Sequence, residues 1–285
     1  MKDRKFEFRR KDDYKDEVIA WIKCLKERHE DILFIPNTDC IKGYYKGLVL
    51  YEKITDRCKN LVRRCSGMPL DEAIKVVGEG MPRDKERRTQ QIIALNNMTF
   101  DKDRYSVCGF ETTVSQKDVE ISKKPEMDLV VINPSKKSML LVEYKCKGES
   151  MLNGEQNIEC HYNDYKTILD SAAIKQIKKE MIKSYILLCK INDINYNEKD
   201  FNADDYKVQI AFLFVDKVLD KDGNIESIIT CDDYKKAMDM FNKLPQKDLK
   251  DVLYIRCETA EKVNLDQWEN VKDSDLKKTI WSHNQ

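Results

Sequence analysis

The chain has 285 residues, 36% charged and 41% hydrophobic, with a formal net charge of zero. That is the composition of a folded protein with ample core and excludes a disordered chain. No run of about 18 apolar residues occurs, so no membrane span is expected. The opening "MKDRKFEFRRKDDYK" lacks the apolar stretch of a secretory signal. Ten scattered cysteines without a CxxC pair, and only three histidines, argue against a structural zinc site or a secreted disulfide scaffold. Reduced thiols in a cytoplasmic protein are the expectation.

In chain order, the first eighty or so residues read as helical. "DDYKDEVIAWIKCLKERHEDI" spaces Val18, Trp21, Ile22 and Leu25 on one stripe, and "YYKGLVLYEKITDRCKNLVRRC" is predicted to continue as helix. A short helix over Leu70–Val77 is punctuated by Gly78 and Gly80. After Pro82, Asp84 is a predicted N-cap for a helix carrying Ile92, Ile93 and Leu95. Strands are expected from Tyr105 to Lys145, then one long helix from about Tyr162. Strands over "YKVQIAFLFVDKVL" and "DVLYIRCETAEKV" follow, with a helix over "CDDYKKAMDMFNKL" between them. The order implies an α/β fold: a mixed central sheet flanked by helices over 83–285, preceded by a helical N-terminal region over 1–82.

Charge is unevenly shared between these parts. Residues 1–104 carry 24 Lys+Arg against 19 Asp+Glu, and eleven of the twelve arginines lie there. Arginine forks suit phosphate, so an anionic partner could be gripped at this end; a solvated mixed-charge surface is the plainer alternative.

The segment "PEMDLVVINPSKKSMLLVEYKCKG" carries the chemistry. Two apolar strands joined by a loop over Pro134–Lys137 pair Asn133 with Ser138, which sets Asp128 opposite Glu143, with Cβ atoms about 5 Å apart. Lys145 shares their face, along with Met139 and Leu141. Leu140, Val142 and Tyr144 take the other face, so the strand is central and covered. Two acids crowded at the end of a buried sheet need a cation between them. Lys145 can balance one charge, and a hard divalent ion can balance the pair.

"PEMD", fourteen residues, then "EYK" resembles the PD-(D/E)XK nuclease superfamily, the restriction-endonuclease-like fold, over roughly the last two-thirds of the chain. Pro125 stands three residues before Asp128 rather than next to it. The resemblance implies metal-dependent phosphodiester hydrolysis, on DNA ahead of RNA. Asp128, Glu143 and the backbone carbonyl of Tyr144 would hold Mg²⁺ or Mn²⁺, and Lys145 would position the attacking water. Glu86 matches the glutamate that members often carry on the preceding helix; it shares a stripe with Gln90, Ile93 and Asn97. Glu111 is a second candidate for that role.

His161 and Tyr165, four residues apart at the start of the next helix, and Gln176 further along are candidate substrate contacts. Lys147, beside a glycine-containing loop, is another. The N-terminal appendage would grip nucleic acid or make a homodimer contact. Two other readings stay open: a non-catalytic nuclease-fold binding module, and a metal-dependent hydrolase of small phosphorylated substrates. No GxxxxGK[ST] or GxGxxG pattern supports a nucleotide-driven enzyme.

Overall fold

A computed structural model describes residues 14–37, 40–79, 85–113, 126–154, 157–219, 224–245 and 249–271. The expected N-cap Asp84, the motif's Pro125 and the 82/83 boundary lie outside them. Among the described residues, no helix is long and apolar enough to cross a membrane.

The N-terminal region opens with the expected helix, α1 (Asp16–Arg28), which buries Val18, Ile22 and Leu25. The expectation of helix then fails. Residues 32–61 form a four-stranded antiparallel sheet, β1 (Ile32–Pro36), β2 (Ile41–Tyr45), β3 (Leu48–Ile54) and β4 (Lys59–Leu61), paired in chain order. The cause is local. Lys46 and Gly47, at φ 49° and 81°, form a two-residue turn between the paired Tyr45 and Leu48. Two successive positive φ values are the hairpin geometry that matches strand twist. The aromatic and β-branched residues on either side then pair as strands.

Helices α2 (Leu70–Glu79) and α3 (Lys85–Asn96) lead into the main sheet. Its strands are β5 (Ser106–Thr113), β6 (Glu126–Asn133), β7 (Ser138–Lys145), β8 (Lys207–Val215), β11 (Val252–Cys257) and β12 (Glu269–Asn270), in the spatial order β12-β11-β8-β7-β6-β5. β5, β6 and β7 are antiparallel, β7, β8 and β11 are parallel, and β12 closes the far edge antiparallel. The sheet is therefore mixed, as expected. A small hairpin of β9 (Lys217–Leu219) and β10 (Ile225–Ile228) follows β8.

The crossover from β7 to β8 contains α4 (Gly148–Leu152), α5 (Ile158–Asp170) and α6 (Ala173–Ile191), not one long helix. Ser171 makes the break: its hydroxyl donates to the Ile168 carbonyl at 2.8 Å and accepts from the Ala173 N–H at 3.2 Å. This local bonding competes with helix continuation. Helix α7 (Cys231–Lys243) connects the β8–β10 region to β11.

All eight residues of β7 are buried, the mark of a central strand covered on both faces. Phe212 and Phe214 of β8 pair with Glu143 and Lys145, and pack edge-on against Phe241 and Tyr234 of α7. The opposite face meets the N-terminal sheet, where Phe110 of β5 packs on Tyr44 at 4.8 Å between ring centres. The buried side chains of both sheets form one continuous core.

Candidate active site

The β6–β7 register is the expected one: Asn133 pairs with Ser138, and the ladder continues to Leu129 opposite Val142. There the strands part. Asp128 replaces the next backbone rung with its side chain, Oδ2 accepting from the Tyr144 N–H at 2.7 Å. A strand residue's N–H and C=O point to the same neighbour, so the Tyr144 carbonyl faces the same opening. The Tyr144 side chain lies buried on the other face of the sheet.

Glu143 and Lys145 are each only 3% exposed, which makes their contacts decisive. The Lys145 ammonium donates to Glu143 Oε1 at 2.6 Å, and the Tyr165 hydroxyl donates to Oε2 at 2.7 Å. His161, one helical turn before Tyr165 on α5, brings Nε2 to 3.1 Å from Oε1, but without hydrogen-bond geometry.

Electrostatics follow from this crowding. Burial first, and the Glu143 charge second, push the Asp128 carboxyl well above the usual carboxylate range; the Tyr144 N–H and Lys145 oppose this only in part. Burial lowers His161 and so favours the neutral imidazole. Burial, then Glu143 and Asp128, raise Tyr165 far above an ordinary phenol, which keeps it protonated as a donor.

Of the residues expected from the sequence, Asp128, Glu143, Lys145, Tyr144, His161 and Tyr165 come together. Glu86, half-buried in the first turn of α3, joins them electrostatically: its charge raises Asp128 and, on the neighbouring strand, Tyr144 and Cys146. Glu111 does not share that role. It sits in the left-handed region at φ 48°, and its carboxylate accepts from Arg87 at 2.6 Å.

Two expected substrate contacts are engaged within the protein. Tyr165 is fully buried, and its hydroxyl supports Glu143. Gln176 lies beyond the helix break, on α6, where its amide donates to Glu180 at 2.9 Å. Lys147 is exposed at the start of α4. The rim contributes one group that sequence reasoning missed: Ser227 of β10 donates to the Cys146 carbonyl at 3.0 Å and so ties the β9–β10 hairpin to the end of β7. The signal was weak, a single serine on a four-residue strand.

Among the described residues, no group of three or more His, Cys, Asp or Glu side chains could by itself hold a metal ion. The donor set here is two carboxylates and a carbonyl. This suits Mg²⁺, which keeps several waters and takes one or two carboxylates from the protein. The geometry fits a cation: Asp128 and Glu143 are crowded at the end of a covered sheet, where burial first and the Glu143 charge second outweigh the Tyr144 N–H and Lys145 at the Asp128 carboxyl. No protein-family model matches the chain, and no curated protein or solved structure matches it.

Proposed function

We propose that this protein is a divalent-metal-dependent nuclease of PD-(D/E)XK type with a restriction-endonuclease-like core, acting on DNA ahead of RNA. One observation carries the reading. Asp128 and Glu143 are crowded where two strands part at the end of a covered sheet, and the lysine of the motif is bonded to the second acid. The order of an antiparallel three-stranded unit, a helical crossover and a parallel strand supports the core assignment.

In this reading Asp128, Glu143 and the Tyr144 carbonyl hold the ion. When bound, the ion supplies charge neutralisation for the attacked phosphate and lowers the pKa of a coordinated water. Tyr165 fixes the rotamer of Glu143, leaving lone pairs on both oxygens for a further partner. The Lys145 ammonium aims its remaining protons at the water or the phosphate oxygen. Glu86 adds negative charge at the rim, and Lys147 lies exposed beside the strand end for substrate phosphate.

A second reading is favoured by the closed Lys145–Glu143 pair: a nuclease-fold binding module in which the lysine replaces the ion. Thermal unfolding with and without a few millimolar Mg²⁺ or Mn²⁺ separates the two, because a ligand held only by the folded state raises Tm. The nuclease reading expects a metal-dependent rise in wild type that disappears in Asp128→Ala, together with metal-dependent cleavage of labelled DNA. Wild type without either response is the result expected of the binding module.

A further inference from the structure

From a groove on the N-terminal sheet we infer that the protein carries a second nucleic-acid contact, a track that delivers one strand to the carboxylates. The groove is open, about 740 Å³, and is lined by Leu48, Val49, Val62, Arg63, Arg64 and Arg87. Arg63 and Arg64 are exposed, and no ion pair joins either to a carboxylate among the described residues. Arg87 forms the opposite wall from α3 while its guanidinium holds Glu111 at 2.6 Å.

The lining selects the ligand class. Guanidinium forks bind phosphate bidentately, and the half-buried aliphatic floor of Leu48, Val49 and Val62 suits the apolar parts of sugars and bases. A duplex presents mainly its phosphates to such a surface, whereas a single strand can set phosphates on the arginines and bases on the floor. The occupant is therefore a single-stranded segment.

Position supplies the second argument. Arg87 and Glu86 are consecutive on α3, one lining the groove and the other acting electrostatically on Asp128. Glu111, the partner of Arg87, lies between the rungs Phe110–Leu129 and Thr112–Met127, level with Asp128. Through the Arg87–Glu111 pair the groove adjoins β5 at the level of the β6 residue Asp128. Its register is held by the β2–β3 turn: the Gly47 N–H donates to Gln91 Oε1 at 2.7 Å, and a Cβ on Gly47 would meet the Arg88 backbone nitrogen at 2.4 Å.

The inference rests on the nuclease reading for the destination of the strand, but not for its binding, so the two can fail separately. The test is fluorescence anisotropy with a fluorescein-labelled single-stranded DNA of about twenty nucleotides, using the full chain in EDTA across a salt series. Each phosphate contact in a single strand contributes about 0.7 to the slope of log affinity against log salt. Arg63→Ala/Arg64→Ala is expected to bind about ten-fold or more weakly at 100 mM salt, with a slope smaller by about 1.4. Its Tm should match wild type, and Arg64→Glu alone should weaken binding in the same direction. Unchanged affinity and slope in the double variant, no binding by wild type, or equal competition by polyglutamate would each overturn the track. Arginine-dependent binding without metal-dependent cleavage keeps the track and removes the nuclease reading. Cleavage with arginine-independent binding does the reverse.

Discussion

Glu143 shows how one residue's neighbours define what it can do. Its carboxylate is taken out of water, and Lys145 on one oxygen and Tyr165 on the other offset the cost. Tyr165→Phe removes one donor and leaves a buried acceptor short of a partner, which costs about 1–3 kcal/mol; a urea melt should show it as a lower midpoint at unchanged m. Asp128 has the opposite balance, with burial and a like charge outweighing its donors. Its folded-state pKa therefore lies above the unfolded value of about 3.9. The folded state holds this proton more tightly, so the group's favourable contribution is fully present below that pH and is lost as pH rises through the folded pKa. In metal-free protein the loss runs at up to about 1.4 kcal/mol per pH unit. Between pH 4 and 8, Asp128→Asn should lose less stability than wild type, and the difference should shrink when Mg²⁺ is present. Parallel pH profiles for the two proteins would show that Asp128 is not strained.

At the scale of elements, the turn between β2 and β3 ties the two sheets together. Gly47 has φ 81° and stands directly against the Arg87–Arg88 backbone of α3. Gly47→Ala combines a left-handed conformation with a backbone clash that only movement of the turn relieves. The expected loss is about 2–4 kcal/mol in thermal or chemical unfolding. The same turn explains where sequence reading succeeded and failed. Long apolar runs with punctuation, such as Leu129–Asn133 and Ser138–Lys145, fix both period and register, so the hairpin and its acids were legible. In "YYKGLVLY" apolar residues also fall at helical spacing, and the deciding signal was the Lys-Gly pair, whose two positive φ values select a hairpin. The α5–α6 break depended on one serine bonding to its own backbone, and no periodicity reports that. The roles of Tyr165 and Gln176 were illegible for a different reason: whether a helical residue meets a ligand or a neighbouring acid depends on which helix face packs on the sheet, a tertiary fact.

At the scale of the whole molecule, the question is whether the N-terminal sheet is an appendage or part of the unit that unfolds. Composition suggests an appendage, since arginine is concentrated there. Packing argues otherwise. α1 and β1 both contact α6, β1 meets β5 and α3, and Tyr44 packs its ring on Phe110 of the main sheet. Gln91 of α3 is buried and bonds three backbone groups of the N-terminal region, the Gly47 N–H and the Asp31 and Tyr44 carbonyls. Unfolding the N-terminal sheet alone would expose this shared apolar face and leave Gln91 without those partners, a cost that a loosely docked domain does not carry. Cooperative unfolding in one step follows. Two tryptophans report on it from opposite ends: Trp21 of α1 packs edge-on against Tyr51 at 5.5 Å, and Trp268 lies half-buried just before β12. With the other two tryptophans replaced by phenylalanine in each case, variants keeping only Trp21 or only Trp268 should each give a fluorescence midpoint that coincides with the far-UV circular dichroism of the same protein. An earlier Trp21 transition would make the N-terminal sheet a separate unit, and a groove built on it could then move relative to the carboxylates instead of holding a strand in fixed register with them.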